Sequence, residues 1–383
     1  MKIIVKPVKT PSERKLFITF PWQIYKNDRY WVPPLVSEKT ERLDLHRNPF
    51  WQTAELAMWI AYRDGKLAGT IAGIIDHHGI EVTHHQVANF GFFECVNDQQ
   101  VANCLFDAVS DWARQKGMPV LRGPFNPSPI DEVGILVEGF DTRPAILEAH
   151  TPPYYPALLE NAGLVKINNT LARLVTRAPT SSYNELMPEK VRRVAERARQ
   201  RSDLVIRPVR MDHWDEEIAL ACEIYNIALA DLPDYIPFPQ AEFARFAASF
   251  KPLMDPRLAL IAEIKGKAVG FALALPDINE AFQHINGRMD LIGLAKLWWY
   301  SRKLTRVSFK ILMMLPEYQG RGVEAVLVEQ VGQAIWEIGF KEIDMSLTGD
   351  ENVKSARMQD HLGFVPYRRY GIYEKGLSDE RSA

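Results

Sequence analysis

Three cysteines in 383 residues, Cys95, Cys104 and Cys222, are too few and too scattered for a disulfide framework or a zinc site. That points to a reducing compartment, the cytoplasm by default, with all three thiols as small core residues. No apolar run approaches the roughly 20 residues that a membrane-spanning helix needs, and no long apolar segment follows the basic residues of the opening MKIIVKPVKT. Neither sign of charge dominates. The 46 Lys and Arg against 48 Asp and Glu give a formal net charge of −2, which leaves no electrostatic footprint for nucleic acid or an anionic membrane. What is present is an ordinary globular composition, 47% apolar and 25% charged, in a chain too long for one typical core. Two domains are expected.

The chain repeats itself. Trp59 to Asp76 (WIAYRDGKLAGTIAGIID) aligns with Leu260 to Asp277 (LIAEIKGKAVGFALALPD) at an offset of 201, and both read strand, Gly-Lys turn, strand. Leu158 to Asn169 aligns with Met358 to Arg369 at an offset of 200. Two nearly equal offsets argue for duplication over chance hairpins. Between these anchors, Phe92 to Gly117 fits Leu312 to Gly339 only at an offset of 222. Compensating insertions explain the difference, one around Gly123 to Pro152 in the first copy and one at Ile278 to Lys303 in the second. The expected division is residues 1–175, a linker helix within 176–203, and residues 204–383. The linker, with seven basic and three acidic residues between Thr176 and Arg201, reads as solvated.

In the second copy Val307, Phe309, Ile311, Met313 and Leu315 alternate as a strand that ends at Pro316. Gln319-Gly320-Arg321-Gly322 then opens a helix whose apolar face carries Val323, Val326, Leu327, Val331 and Ile335. Free amides and the positive dipole end at such a start attract phosphate, and glycine lets a ligand approach the backbone.

Here the sequence resembles the GNAT acyltransferase superfamily, whose acyl-CoA loop reads Gln/Arg-x-x-Gly-x-Gly/Ala after the fourth strand. PEYQGRGVE supplies Gln319 and Gly322, while Glu324 stands where the family places Gly or Ala. A carboxylate about 5 Å from a phosphate charge is repelled by roughly 3 kcal/mol at an effective dielectric near 20, so Glu324 is expected to turn outward into solvent. A second stretch, Asn352-Val-Lys-Ser355-Ala-Arg-Met-Gln359-Asp-His361-Leu362-Gly363-Phe364, resembles the helix and LGF turn that flank the pantetheine arm. The resemblance implies a mixed-sheet α/β fold in two tandem GNAT-like units. It implies acetyl-CoA or another acyl-CoA as donor, held by Leu315, Gln319, Gly320, Arg321, Gly322, Val323, Asn352 and Ser355, with no metal. In the first copy Asn97, Asp98, Gln99 and Gln100 replace the glycines, so that copy is degenerate in the CoA loop.

Acylation of an amine needs a neutral amine, a polarised thioester and a proton donor for the departing thiolate. Many family members place a Tyr donor on the motif helix, where this chain has Gln359, and Leu159 in the first copy. Tyr367, Tyr370 and Tyr373 follow, and Tyr370 is the candidate acid, although alternating aromatics on a strand more often pack. For a base, Asp277, Glu280 and His284 follow the second hairpin; Glu280 is the choice, against a reading as exposed loop residues. The turn-rich stretch Gly123 to Gly134, with Asn126, Ser128, Asp131 and Glu132, together with Tyr155, is the candidate acceptor site, or else a rigid surface loop. Leu291 to Lys303 reads as an amphipathic helix, packed on the core in preference to a membrane. The expectation is an N-acyltransferase, acetyl by default, acting on a small amine or amino acid-like acceptor, as a monomer or homodimer with no nucleic-acid or membrane partner. A non-catalytic CoA-binding regulator and a tandem transferase with an aminoacyl or larger acyl donor remain as alternatives.

Overall fold

The computed structural model describes residues 2–377 apart from 129–130, 178–182, 184–186, 201–202 and 351. The two hairpins are the same object made twice. Ala54–Arg63 pairs with Lys66–Asp76, and Ala259–Ile264 with Lys267–Pro276. Both central residues of each turn have positive φ, Asp64 and Gly65 at 52° and 81°, Lys265 and Gly266 at 53° and 76°. That twist matches right-handed strands.

Each half then runs strand, loop, helix, short parallel strand: Val87–Cys95, Gln99–Gln115 and Val120–Gly123 in the first, Arg306–Met314, Val323–Ile338 and Glu342–Gly349 in the second. The helices bury the expected faces, Val101, Leu105, Phe106 and Val109 in one and Val323, Val326, Leu327, Val331 and Ile335 in the other. The parallel pairs hold only briefly, Val87 to Asn89 on Val120 to Arg122 and Arg306 to Phe309 on Glu342 to Met345, and then splay. Past each splay, backbone groups lose a ladder partner, so their replacements decide what the wedge can hold.

The last strands are exchanged. Val165–Thr176 of the first half pairs with Glu342–Gly349 of the second, and Val365–Gly376 of the second with Val120–Gly123 of the first. The two exchanged strands also pair with each other, antiparallel, and join both halves into one 13-stranded sheet. Tyr373 and Leu377 are accordingly buried in the first half's core, beside Leu121, Tyr155 and Leu159.

The linker helix, Glu189–Arg199, is not solvated all round. Ala195 and Ala198 are buried against Val326, so its small-residue face packs on the helix Val323–Ile338. Of the cysteines, Cys95 and Cys222 are buried and Cys104 half-buried. Among the described residues no helix is long and apolar enough to cross a membrane, and no cluster of His, Cys, Asp and Glu is placed to hold a metal ion.

Candidate active site

In the second half, the Leu315 amide is held by the Val269 carbonyl (2.8 Å) and Gln319 Nε2 returns to the Met314 carbonyl (3.1 Å). Gly320 and Gly322, at φ 70° and 87°, then turn the chain into the helix that begins at buried Val323. Among the described residues no side chain caps this helix, which leaves its first-turn amides for an anion. Glu324 does not turn outward as expected. Its Oε1 accepts the Gly320 amide at 2.8 Å, because an unpaired loop N–H gives a carboxylate a charge-assisted bond. Exposed Arg321 lies 5.4 Å from the Tyr318 ring. Behind the loop, a Cβ on Gly322 would lie 3.0 Å from Val194 Cγ1 and 3.2 Å from Ala198 Cβ, so the linker helix backs the loop closely.

Asn352 caps the helix Val353–His361 by accepting the Ser355 amide (3.1 Å). Gln359 Nε2 donates to Ser355 Oγ (3.2 Å) and Thr348 Oγ1 (2.9 Å), so this buried glutamine ties the helix to the strand where a Tyr acid was lacking.

The corresponding wedge of the first half is filled by its own side chains. The Cys95 amide donates to Tyr155 Oη (2.8 Å), and Tyr154 Oη donates to the Cys95 carbonyl (2.9 Å). Asp98 accepts the Gln100 and Val101 amides at 3.0 and 3.3 Å and so caps the helix that follows. Tyr155, expected to contact an acceptor, is instead fully buried as this plug.

A cavity of about 520 Å³ opens beside the strand Val87–Cys95, which lends it Phe92, Phe93 and Glu94. Phe17, Phe92 and Leu147 of the first half meet Phe246, Phe250 and Phe282 of the second across it. Asn126, Asp131 and Glu132 line it, gathered on Arg42. Arg42 Nη1 donates to the Asn126 carbonyl (3.0 Å) and lies 3.9 and 3.6 Å from Asp131 and Glu132. Ser128 stands behind them, its hydroxyl on Asp131 Oδ2 (2.8 Å). Burial raises the Asp131 acid against the pull of Arg42, whereas at Glu132 burial is outweighed by Lys39, 3.0 Å away, and by Arg42, which hold it low.

Glu94 lines the same cavity from the strand Val87–Cys95. The Tyr155 and Tyr25 hydroxyls both donate to its Oε2, at 2.7 and 3.0 Å, and leave Oε1 uncommitted to either. Burial, opposed by these two bonds, pushes its acid up to about 7. Glu148, buried, also lines the wall, and its Oε1 has no partner among the described residues.

From Glu148 a buried polar chain crosses to the second half. Tyr367 Oη lies 3.0 Å from both Glu148 Oε2 and Asp344 Oδ1. One hydroxyl has one hydrogen, so the second bond takes its hydrogen from a carboxyl, and burial followed by the Glu148 charge raises the Asp344 acid. Asp344 also bonds Ser308 and lies 3.6 Å from Lys310. In the other direction, Arg368 donates to Tyr370 Oη (2.7 Å), the Ala149 carbonyl (3.0 Å) and His150 Nδ1 (3.1 Å). Arg can only donate, which puts the His150 proton on Nε2, facing Asp28 Oδ2 at 2.8 Å.

The two residues expected to move protons are bonded within the fold, and neither lines this cavity. Tyr370 is fully buried, held between Arg368 and Glu148 (3.3 Å), and is not in the cavity wall. Glu280 is no exposed loop residue either. It accepts the Thr305 amide and hydroxyl (2.5 and 2.8 Å), pairs with Arg143 (2.9 Å), and so pins the start of a strand. Its neighbour Asp277 is fully buried, with an acid raised by burial to about 6. His284 stacks on Tyr300 at 3.7 Å, and Tyr373 packs in the core. Sequence reasoning missed Glu94, Glu148 and His150. A lone acid in the apolar run Phe90 to Cys95 was a signal for Glu94; nothing marked the other two.

No protein-family model matches the chain. Over 380 residues it is 32% identical to the bacterial ceramide synthase of Caulobacter vibrioides (strain NA1000 / CB15N), covering 97% of each chain. It is 29% identical over 380 residues to Protein YghO of Escherichia coli (strain K12), covering 98% of this chain and 95% of that one. Among solved structures, a tandem GNAT protein from the clavulanic acid biosynthesis pathway (without AcCoA) superposes with a TM-score of 0.56 at 10% identity, over 99% of this chain and 100% of that one. A likeness at that identity speaks for the fold, which agrees with the duplicated hairpins and splayed strands. This chain belongs to the family of the bacterial ceramide synthase, and it is an acyltransferase on the tandem GNAT fold.

Proposed function

We propose that the protein joins a long-chain acyl group, delivered as an acyl-CoA thioester, to the amine of a long-chain amino alcohol, giving an amide of the ceramide type. The observation that carries this reading is the cavity, about 520 Å³, where half-buried Glu94 and buried Glu148 share a wall of aromatic and aliphatic side chains with the polar cluster on Arg42. An acetyl group and a small amine would leave much of such a volume unfilled, so the larger donor is preferred to acetyl transfer. Glu94 and Glu148, facing one cavity, are hard to account for in a purely regulatory protein. The ceramide synthase relative, alike over nearly its whole length, points the same way.

An acyl thioester, when bound, supplies the electrophilic carbonyl. Glu94 takes the proton from the acceptor nitrogen as the C–N bond forms, and returns it to the departing thiolate as the C–S bond breaks. It ends the turnover ionised, as it began. Glu148 Oε1 accepts the acceptor's hydroxyl and fixes which end of the amino alcohol faces the donor. Gln319 to Val323 hold the pyrophosphate at the helix start, with Asn352 and Ser355 beside the arm. In this division residues 204–383 anchor the donor, and residues 1–175 supply most of the acceptor wall.

The assay that tests the reading is amide formation from a long-chain acyl-CoA and a long-chain 2-amino alcohol, followed by mass spectrometry. Each methylene removed from either chain is expected to cost about 0.8 kcal/mol, near a fourfold loss in kcat/KM. Equal rates with acetyl-CoA and a short amine would overturn it. A pyrophosphate at the loop displaces Glu324 from Gly320. Removing that charge in Glu324→Ala should tighten CoA about tenfold in calorimetry, the part of a roughly 3 kcal/mol repulsion that rotation and screening leave. Unchanged affinity would place the pyrophosphate elsewhere.

A further inference from the structure

We infer that the outer face of the helix Leu291–Ser301 docks on an anionic lipid bilayer. This helix, LIGLAKLWWYS, is apolar nearly all round, a pattern normally found in buried helices. Here only one side is inside. Leu297 and Tyr300 pack on Phe282, Ile146 and Phe250, and those three also line the large cavity. The other side is open, with Leu291 85%, Ile292 70%, Trp298 56% and Trp299 54% exposed. The sequence expectation of a helix folded down on the core holds for one face only. Contiguous apolar surface of this kind marks a partner.

Its charge selects the partner. Arg288, Lys296, Arg302 and Lys303 are exposed around the apolar face, and the one acid from residue 284 to 303, Asp290, spends its side chain on the Gly293 amide (2.8 Å). The Arg302 guanidinium lies 3.5 Å over the Trp298 ring and the Lys303 ammonium 4.2 Å over Trp299. Indoles flanked by cations suit the headgroup layer, where the ring is half-immersed and the charge meets lipid phosphate. A symmetric contact between two copies would set these cations against their own counterparts. Eleven residues make a helix of roughly 16 Å, too short to span a bilayer, so it lies in the interface.

The loop before the helix is fastened to the cavity rim. Trp22 Nε1 donates to Asn286 Oδ1 (2.9 Å), and the Val36 amide to the Gly287 carbonyl (3.2 Å), on either side of cavity-lining Trp31, Pro34 and Leu35. Docking therefore sets the cavity beside the lipid, whatever amine is acylated there.

The test is co-sedimentation of the full chain with vesicles of phosphatidylethanolamine and phosphatidylglycerol, against vesicles of phosphatidylcholine. The protein is expected to partition at least tenfold more strongly onto the anionic vesicles, less so as salt is raised. The exposed-site variant Leu291→Asp/Ile292→Asp should lose at least tenfold. Lys296→Glu/Lys303→Glu should lose more than tenfold, since each basic group near an anionic surface contributes a factor of about five. Wild-type protein that stays in the supernatant, or variants that sediment as wild type, would overturn the inference. So would a dimer in light scattering that Leu291→Asp/Ile292→Asp converts to monomer without any vesicle binding, which would assign the face to a second copy.

Discussion

Glu94→Gln is expected to lose at least a hundredfold in kcat/KM for amide formation and yet to gain thermal stability above pH 7. The loss follows from its place in the cavity wall, since general-base catalysis contributes roughly 10²–10⁴-fold. The gain follows from the sign of the shift. Burial raises the Glu94 acid from 4.5 to about 7, so the folded state prefers the protonated form. Its contribution to stability is complete below about pH 4.5 and is lost as pH rises through 7. By pH 8 that difference amounts to at most about 3 kcal/mol. Gln cannot ionise, and its side-chain oxygen still accepts from Tyr25 and Tyr155. Melting curves of the two proteins should nearly coincide at pH 4 and separate by several degrees at pH 8, the variant higher. Wild-type kcat/KM should climb through an apparent pKa near 7, and this limb should vanish in the variant. Full activity in Glu94→Gln with the limb intact would move the base to Glu148.

The second large effect is on folding. Residues 1–200 and 204–383, made as separate chains, should each fail to show a cooperative thermal transition, and co-expression should restore one. Without Val365–Gly376 and Leu377, the first half loses the strand beside Val120–Gly123 and the wholly buried Tyr373 and Leu377. Two such side chains are worth roughly 3–6 kcal/mol, a large part of a typical 5–15 kcal/mol margin. The Arg122–Glu374 ion pair (2.8 Å) and the bond from Arg114 Nε to the Leu377 carbonyl (3.1 Å) go with them, and an open sheet edge remains. A cooperative melt of 1–200 alone would show that the exchanged strand is dispensable.

The sequence spoke clearly where structure is local. Gly65 and Gly266 announce their turns because glycine tolerates positive φ, and the 3.6-residue period of Val323 to Ile338 announces its helix. The exchange of the last strands was silent. Val165–Thr176 and Val365–Gly376 carry matching patterns, so each could close its own half or the other's, and periodicity records the face a residue turns to, not the neighbour it meets. The site was half legible for the same reason. Asn126, Asp131 and Glu132 stood out as polar residues held by turn formers, and they do meet at Arg42. Glu148 and His150 lie in a stretch without regular secondary structure, and only packing brings them to the cavity. Glu280 and Tyr370 had the right chemistry, but their hydrogen bonds are spent within the fold.

The crossed strands also set a clock on synthesis. Thr176 and Val365 are separated by roughly 190 residues, which a ribosome adds in about 10–40 s at 5–20 residues per second. For that interval the edge at Val120–Gly123 has been made and its partner has not. A nascent first half must wait with that edge uncovered or covered by its own Val165–Thr176, a span long against the microseconds to seconds in which small domains settle, and long enough for another nascent chain to find it.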